Sequence, residues 1–250
     1  MEFNTIFTGK NFIELEHVDS TNNYAAILMN KTNVPDGTVI LAHFQEKGRG
    51  QMGNEWKSPS GQNIMTSIVY HFNHLNSNET FLLSKAASLA VFDTVSQHVK
   101  EHVSIKWPND IYVEDEKIAG LLIENKWLGK QCTSIIGIGL NVNQRFFGEI
   151  RGTSLSNCTG ITFEIQDVLN FMVSKLEKYM IQLKQGGTET FTHKYLSNLR
   201  YRGIWHQFIT NEDENFTGKI LNVKNNGELI ILTKEGEERA FFFKEVFPVH

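Results

Sequence analysis

Residues 103–143 read VSIKWPNDIYVEDEKIAGLLIENKWLGKQCTSIIGIGLNVN, and this stretch decides the fold class. Short apolar runs that are rich in β-branched residues and bounded by turn residues are typical of strands. They predict a strand over 103–106 and a hairpin that pairs 111–113 with 117–124. The nearly all-apolar run 133–142 predicts a further strand that is buried on both faces. This stretch is therefore expected to form a dense β region.

The sequence on either side adds helices and more strands. Apolar residues at four-residue steps predict a helix over 81–99, and similar spacing predicts a second long helix that Gly186-Gly187 ends. Runs 38–45 and 63–72 have the composition of strands. The remaining predicted elements are a strand over 12–18, a helix that begins near 19–21 and a helix over 188–199. We therefore expect an α+β fold, in which helices flank a mixed sheet.

The pattern of predicted secondary structure changes after Arg200. Short runs with strand composition follow one another, and turn signals at 225–227 and 234–236 separate some of them. These runs are 204–210, 216–223, 228–233 and 239–243. They predict a small β-barrel, so we divide the chain into a first domain of residues 1–202 and a second domain of residues 203–250.

The composition of the chain excludes several classes of protein. The 250 residues carry a net charge of −4, and their 24 Lys and Arg residues are scattered, which argues against a dedicated nucleic-acid binder. No stretch approaches the ~18 uncharged apolar residues of a membrane span. Residues 1–10 lack the apolar run of a secretory signal, and Cys132 and Cys158 cannot build a disulfide framework. We therefore expect a cytoplasmic protein without a membrane or nucleic-acid partner.

A glycine-rich loop follows the strand predicted at 38–45. Its sequence, GRGQMG at 48–53, matches the G-x-G-x-x-G pattern of dinucleotide-binding sites. That pattern requires a helix immediately after the loop, which Pro59 and Gly61 prevent, so a dinucleotide site is not expected. Glycines let backbone N–H groups turn toward an anion, and Arg49 adds a forked cation that suits phosphate or carboxylate. The loop therefore predicts an anion cradle, or alternatively an exposed surface loop.

A second group of polar residues lies in the sequence KWPND at 106–110. Asn109 and Asp110 predict a tight turn into the next strand, which fixes a lysine, an amide and a carboxylate at one strand end. The predicted hairpin would bring Lys117 back near Asp110. Gly120 lies just beyond, and a glycine inside a strand often marks the approach of a ligand to the backbone. These residues predict a binding site, unless they form an ordinary hairpin with surface charges.

Two further features are compatible with a flat ligand. Trp56 offers a flat surface on which a base could stack, or it lies in the core. Gly137 and Gly139 weaken an apolar strand by roughly 0.5–1 kcal/mol each relative to alanine, which suggests a need for space. That space could receive a ligand or allow tight packing against a helix, and the residues alone leave both alternatives open.

These motifs occur together and in one order along the chain. They are DSTN at 19–22, Gln45, GRGQMG at 48–53, Trp56, KWPND at 106–110, KIAG at 117–120 and GIGLNVN at 137–143. The combination resembles the biotin protein ligases, which attach biotin to carboxylases. The similarity runs from about residue 12 to residue 143, and the β-rich tail looks like the family's SH3-like C-terminal domain. The resemblance implies that the first domain has a class II synthetase-like fold.

The resemblance also implies a two-step, ATP-dependent ligase reaction. The carboxylate of biotin attacks the α-phosphate of ATP, and a lysine of a biotin carboxyl carrier protein or domain then attacks the resulting biotinyl-5′-AMP and releases AMP. Because the reacting groups of the first step are both anions, cations must neutralise them. Arg49 and Lys117 are the candidates for this role, with Lys106 nearby. Asp110 would hold a magnesium ion or orient the incoming amine, and both roles stay open.

The same resemblance assigns binding residues. Those for biotin are Ser20, Thr21, Asn22, Gln45, Arg49, Gly50, Gln51, Lys117, Gly120, Gly137 and Gly139. Those for ATP are Arg49, Gly53, Trp56, Lys106, Asn109, Lys117 and Asn141. The implied ligands and partners are biotin, ATP with Mg²⁺ and the carrier protein, and no tightly bound prosthetic group is implied.

The chain departs from the family pattern in two places. The glycine loop of the family often reads GRGRxG, but Gln51 stands where the second arginine would be, so one phosphate-facing charge is missing. The similarity begins near residue 12, which leaves no room for the N-terminal DNA-binding domain of some relatives. We therefore expect a monofunctional ligase without repressor activity. An exposed edge strand near 133–142 would allow a homodimer.

Two other functions stay open at this point. A lipoate-protein ligase has a related fold and similar adenylation chemistry, but it commonly has a different glycine-rich signature. A non-catalytic biotin-binding regulator would bind biotin without consuming ATP. The intact Arg49, Lys117 and Asp110 argue against such a regulator.

Overall fold

A seven-stranded mixed sheet organises the first part of the chain in the computed structural model, which describes residues 2–249. Its strands are β1 (Phe12–Val18), β2 (Thr38–Gln45), β3 (Ile64–Phe72), β4 (Val103–Lys106), β5 (Asp110–Val113), β6 (Glu116–Leu128) and β7 (Gln131–Leu140). Their spatial order is β1–β2–β3–β7–β6–β5–β4, in which β1 and β2 are parallel and the other neighbours are antiparallel. The prediction of a mixed sheet is therefore confirmed.

Strand β7 lies in the middle of this sheet, between β3 and β6. Residues 134–138 are all buried, which explains why the run 133–142 is nearly all apolar. The prediction of an exposed edge strand near 133–142 is wrong, because both backbone edges of β7 already pair with a neighbouring strand. The edges of the sheet are β1 and β4. A homodimer therefore cannot form by strand addition at β7.

Helices cover both faces of the sheet. They are α1 (Thr21–Lys31), α2 (Phe81–His98), α3 (Leu155–Thr159), α4 (Ile165–Lys184) and α5 (Glu189–Ser197). Successive residues of a strand point to opposite faces. Along β2, Val39 and Leu41 belong to the large core that contains α2 and α4, whereas Ile40 belongs to a smaller core that contains Ala25 of α1. Across residues 2–249, every helix is too short or too polar to span a bilayer.

A second, five-stranded antiparallel sheet follows near the C-terminus. Its strands are β8 (Trp205–Thr210), β9 (Asn215–Val223), β10 (Leu229–Thr233), β11 (Glu238–Phe241) and β12 (Val246–Pro248), in the order β11–β10–β9–β8–β12. The four predicted strands are confirmed. The sequence does not predict β12, because three residues that include a proline carry too little pattern. The domain division at residues 202 and 203 stays a prediction.

Most element boundaries agree with the sequence-based expectation to within one or two residues. The strands over 38–45 and 103–106 are confirmed without change. The helix predicted over 188–199 is shorter, since α5 ends at Ser197. The sequence analysis does not predict α3, which is only five residues long. This helix begins at a local cap, in which the Ser154 hydroxyl accepts a hydrogen bond from the N–H of Asn157.

Candidate active site

A cavity of about 400 Å³ is lined by residues of both sheets, and most of the predicted site residues line it. Those that do are Ser20, Thr21, Asn22, Gln45, Arg49, Gly50, Gln51, Trp56, Lys106, Asn109, Asp110, Lys117, Gly120, Gly137 and Gly139. The glycine loop, the KWPND segment, the KIAG strand and the glycine-bearing strand β7 are thus brought together in space. The second sheet adds an apolar wall that includes Leu229 and Val246, and the connection between β11 and β12 adds Phe243.

The glycine loop contains only one short turn, of 3₁₀ helix, over Gln51–Gly53. No α-helix begins there, which agrees with the rejection of a dinucleotide site. The loop folds back on itself, because the N–H of Trp56 donates to the carbonyl of Gly48 at 2.8 Å and the N–H of Gly50 donates to the carbonyl of Asn54 at 2.6 Å. A Cβ at Gly48 would lie 2.2 Å from the carbonyl oxygen of Trp56, so this close approach requires glycine.

A hydrogen-bonded network of polar side chains lies beside the part of the cavity formed by α1, β2 and β3, and its members Thr21, Asn22 and Gln45 line the cavity. Gln45 Oε1 accepts from the N–H of Thr21 at 2.7 Å and from its hydroxyl at 3.1 Å. The buried Ser67 hydroxyl lies 2.7 Å from Thr21 Oγ1 and 2.6 Å from Asn22 Oδ1. Sequence reasoning missed Ser67. The available signal was a polar residue inside the apolar run of β3, where a buried hydroxyl needs a partner.

Arg49 ties the glycine loop to strand β6. Its guanidinium donates to both carboxylate oxygens of Glu124, at 2.9 Å and 3.3 Å, and to Asn23 Oδ1 at 2.8 Å. Glu124 also accepts from Asn22 Nδ2 at 2.7 Å. Sequence reasoning missed Glu124, although it is the acidic residue that interrupts the apolar run after KIAG. Glu124 therefore connects the loop cation to the polar network on α1.

Lys117 and Asp110 form an ion pair of 2.7 Å across the β5–β6 hairpin. The hairpin thus brings the two residues together as expected. Asp110 pairs in register with Gly120, where a Cβ would lie 3.1 Å from Lys117 Nζ and 3.3 Å from Asp110 Oδ1. The glycine of KIAG therefore leaves room for the ion pair. The Lys117 ammonium also lies 5.9 Å from the ring centre of Trp56.

Lys106 and Arg200 both lie close to the aromatic ring of Tyr112. Lys106 Nζ is 5.3 Å from the ring centre of Tyr112, and Arg200 Cζ is 5.2 Å from it. Burial lowers the pKa of Lys106, and the positive charges of Arg200 and Lys117 lower it further, while Asp110 opposes the shift. Sequence reasoning did not assign Arg200 to the cavity. The arginine lies just before the second sheet, and nothing in its local sequence indicates the contact.

Side chains fill the space above the two strand glycines. A Cβ at Gly139 would lie 2.4 Å from Cε2 of Trp56, and a Cβ at Gly137 would lie 2.3 Å from Asn22 Oδ1. The sequence left open whether these glycines make space for a ligand or for tight packing. The structure favours tight packing, because a neighbouring side chain lies against each glycine. The side chain that packs at Gly139 is the flat ring of Trp56, which lies three residues after the glycine loop. Within the described residues, the buried Nε1 of Trp56 has no hydrogen-bond partner.

Two predicted ATP-binding residues do not line the cavity. The buried Asn141 donates from Nδ2 to the carbonyl of Thr153 at 3.0 Å, and its own N–H donates to the carbonyl of Ile118. Gly53 is exposed and has a φ of +88°, a conformation that favours glycine. Their assignment to ATP stays a prediction, and the roles of the residues that line the cavity are likewise predictions.

The fold and the cavity define an α+β protein whose candidate site lies between a mixed sheet and a second β-sheet. The sequence model of the biotin/lipoate A/B protein ligase family matches residues 14–142. The chain therefore belongs to the biotin/lipoate A/B protein ligase family. This result confirms the family resemblance that the motifs of the sequence indicate.

The proteins to which the chain is similar include several that are named as ligases. The chain is 30% identical over 246 residues to the bifunctional ligase/repressor BirA of Bacillus subtilis, which covers 93% of this chain and 73% of that protein. It is 34% identical over 112 residues to the biotin–[acetyl-CoA-carboxylase] ligase of Mycobacterium tuberculosis, which covers 44% of this chain and 41% of that protein. Its fold is similar to that of the biotin protein ligase from Aquifex aeolicus in complex with biotin and ATP, with a TM-score of 0.77, 29% identity and coverage of 96% and 99%.

Proposed function

We propose that this protein is an ATP-dependent ligase that activates biotin as biotinyl-5′-AMP and transfers biotin to a lysine of a biotin carboxyl carrier protein or domain. In the first step, a carboxylate oxygen of biotin bonds to the α-phosphorus of ATP and pyrophosphate leaves. In the second step, the lysine nitrogen bonds to the carboxyl carbon, AMP leaves and the amine loses a proton. One observation carries the proposal: the GRGQMG loop and the KWPND–KIAG hairpin line one cavity.

The two candidate cations already have carboxylate partners. Lys117 pairs with Asp110 and Arg49 pairs with Glu124, so the charges of these four side chains cancel. Bringing a carboxylate next to a phosphate requires local positive charge. Lys117 and Arg49 supply that charge when the incoming oxygens replace their present partners. Lys106, which stands opposite Asp110 in the β4–β5 register, adds a third cation.

Biotin is expected at the polar end of the cavity. Thr21 and Gln45 line the cavity and offer hydroxyl and amide groups, which can donate and accept hydrogen bonds, and the buried Ser67 holds Thr21 from behind. These groups suit the cyclic urea of biotin, which carries two N–H donors and one carbonyl acceptor. Gly137 and Gly139 line the cavity, and their lack of a side chain makes room for Asn22 and Trp56, which pack against them.

ATP is expected where Trp56, Lys106 and Asn109 line the cavity. Mg²⁺, when bound with ATP, neutralises phosphate oxygens, and proteins usually hold it through one or two carboxylates together with those phosphates. Residues 2–249 contain no group of three or more His, Cys, Asp and Glu that could hold a metal ion. The ion would therefore depend on the phosphates and on Asp110. The other proposed role of Asp110 is to orient the incoming amine. This role is compatible with the structure, because the Asp110 carboxylate already binds one ammonium group, that of Lys117.

We expect Gly139→Ala to raise the KM for ATP by about tenfold. The added methyl group would displace the Trp56 indole, and loss of a stacking surface costs about 1–3 kcal/mol. Steady-state kinetics of adenylate formation measure the change. Gly187→Ala is the matched control, because a Cβ there meets Gln182 O only at the ordinary distance of 3.6 Å. An unchanged KM for ATP in Gly139→Ala would remove Trp56 from the proposed site.

A direct assay separates the proposed function from its two alternatives. The protein is incubated with ATP, Mg²⁺ and an equimolar mixture of biotin and lipoate, and the products are identified by mass spectrometry. Biotinyl-AMP, followed by transfer to a carrier domain when one is added, supports the proposal. Lipoyl-AMP as the main product identifies a lipoate ligase instead. Biotin binding by calorimetry without any adenylate identifies a non-catalytic binding protein.

Gln51→Arg should slow the release of biotinyl-AMP several-fold. Gln51 lines the cavity, and its Oε1 is buried without a hydrogen-bond partner among the described residues. An arginine there would present a forked cation to the phosphate of the adenylate. The release rate is measured by chasing preformed biotinyl-AMP with excess biotin. Gln62→Arg, at an exposed position between the glycine loop and β3, controls for added charge. Equal release rates in Gln51→Arg and the unmodified protein would show that the missing charge is immaterial.

A further inference from the structure

Lys85 is a lysine with no exposed surface, and it lies in helix α2. Its Nζ donates to the carbonyl of Val223 and to Asn225 Oδ1, both at 2.9 Å. These acceptors belong to the end of β9 and to the connection between β9 and β10. Lysine is almost never fully buried unless its ammonium is partnered. The fully buried Lys85 of helix α2 thus makes its hydrogen bonds with the end of β9 and the connection that follows it.

The connection that Lys85 holds also contacts the cavity wall. We call residues 223–228 the docking turn. The N–H of Phe81, at the start of α2, donates to the carbonyl of Asn225 at 3.1 Å. Trp107 Nε1 donates to the carbonyl of Gly227 at 3.0 Å, and Trp107 lines the cavity within the KWPND segment. The docking turn therefore joins α2 to the residue next to Lys106.

Burial of the Lys85 amine carries a free-energy cost that an apolar side chain at this position would avoid. Burying a polar group is unfavourable unless hydrogen bonds replace those it makes with water. Burial lowers the pKa of Lys85 to about 8, which reflects this penalty. An unbranched apolar side chain would fill the same volume without it. The amine instead constrains the position of the docking turn, because two acceptors of this turn must lie within hydrogen-bond distance of the same nitrogen.

We propose that Lys85 is a positioning residue, which fixes the docking turn against α2 and thereby holds Trp107 and the second sheet in the geometry that the nucleotide side of the cavity requires. The inference rests on the proposed function, since it assigns the nucleotide to the side of Lys106 and Trp107. The biotin network belongs to α1, β2 and β3, whereas Lys85 bonds to β9 and the turn that follows it. Loss of the Lys85 amine should therefore affect ATP more than biotin.

The test variant is Lys85→Met, which keeps an unbranched chain and removes the donor. We expect the KM for ATP in adenylate formation to rise about tenfold, while the dissociation constant of biotin, measured by calorimetry, changes less than twofold. Hydrogen exchange of the docking-turn amides should speed up at least tenfold. Lys100→Met makes the same chemical change at an exposed position just after α2 and should alter none of these quantities. Equal losses of ATP and biotin binding in Lys85→Met would overturn the proposal.

A second variant guards against misfolding of Lys85→Met. Asn225→Ala removes one acceptor from a partly exposed residue and should show the same split between ATP and biotin in weaker form. Trp107→Phe removes the donor to Gly227, and its effect on the KM for ATP should not add to that of Lys85→Met, because both act through the docking turn. Additive effects, or unchanged hydrogen exchange of the turn, would contradict the inference.

The exchange measurement also separates this inference from the proposed function, because it needs no turnover. Absence of adenylate from the unmodified protein, together with exchange of the turn that depends on Lys85, would refute the proposed function and leave the structural link intact. Normal adenylate formation in Lys85→Met with a protected turn would refute the link and leave the function intact.

Discussion

Lys117→Ala should lower the rate of biotinyl-AMP formation by at least ~100-fold. The Lys117 ammonium lies in the cavity where the glycine loop and the KWPND–KIAG hairpin meet, and its 2.7 Å pair with Asp110 fixes its position. Removal of one donor that stabilises developing negative charge in a water-excluded site typically costs 10²–10³ in rate, or about 2.7–4 kcal/mol, and we expect the Lys117 ammonium to act in this way. Single-turnover kinetics with saturating biotin and ATP isolate the chemical step from product release.

The ion pair between Lys117 and Asp110 allows a second variant that tests the same prediction. Removal of the lysine leaves the Asp110 carboxylate without its cation, and that charge would itself repel the phosphates. Lys117→Ala combined with Asp110→Asn removes this repulsion, so any recovery in the double variant measures it. Lys130→Ala, an exposed change in the connection between β6 and β7, controls for loss of a positive charge. A loss below ~10-fold in Lys117→Ala would show that this amine does not face the reacting oxygens.

Local pattern was sufficient to predict the main elements of the fold. The apolar run 133–142 indicates burial on both faces, and β7 is central in the sheet as that burial requires. The expectation that the same run forms an exposed edge conflicts with its own composition, since an exposed edge seldom needs such apolar residues. Strand β12 and helix α3 are too short to leave a periodic signal. Strand β12 is held by pairing with β8, and in α3 the N–H groups of Leu155 and Ser156 donate to the carbonyls of Asn141 and Val142.

The sequence was sufficient to predict most of the residues that line the cavity, but not most of the contacts that these residues make with one another. Spacing along a hairpin predicts that Lys117 meets Asp110, because register is a local property. Spacing cannot predict that Trp56 covers Gly139, since these residues are joined only by the tertiary fold. The glycine signals a need for space without saying what occupies it. Ser67 and Arg200 were missed for the same reason, because their importance depends on neighbours from other elements.

The pairing of Arg49 with Glu124 changes what the loop arginine is expected to do. Two of its nitrogens are already engaged by Glu124 and Asn23, and the Arg49 and Glu124 side chains are 42% and 35% exposed. An ion pair this exposed contributes about 0–1 kcal/mol to stability, so holding the fold together is a minor role. The pair can therefore open at little cost when an anion arrives. Its value would lie in keeping the guanidinium at the cavity until then.

Arg49→Ala should consequently reduce adenylate formation by about 100-fold, while Glu124→Gln should reduce it by at most about tenfold. The first change removes a cation that neutralises the reacting anions, and the second leaves that cation in place with a weaker tether. Single-turnover rates of the two variants and of their combination test this difference, and Lys47→Ala, at an exposed position just before the glycine loop, controls for the loss of a charge. Equal losses in Arg49→Ala and Glu124→Gln would mean that the arginine acts only as a clamp. The neutralisation of the two anions would then rest on Lys117 and Lys106, because the guanidinium would serve the loop rather than the substrates.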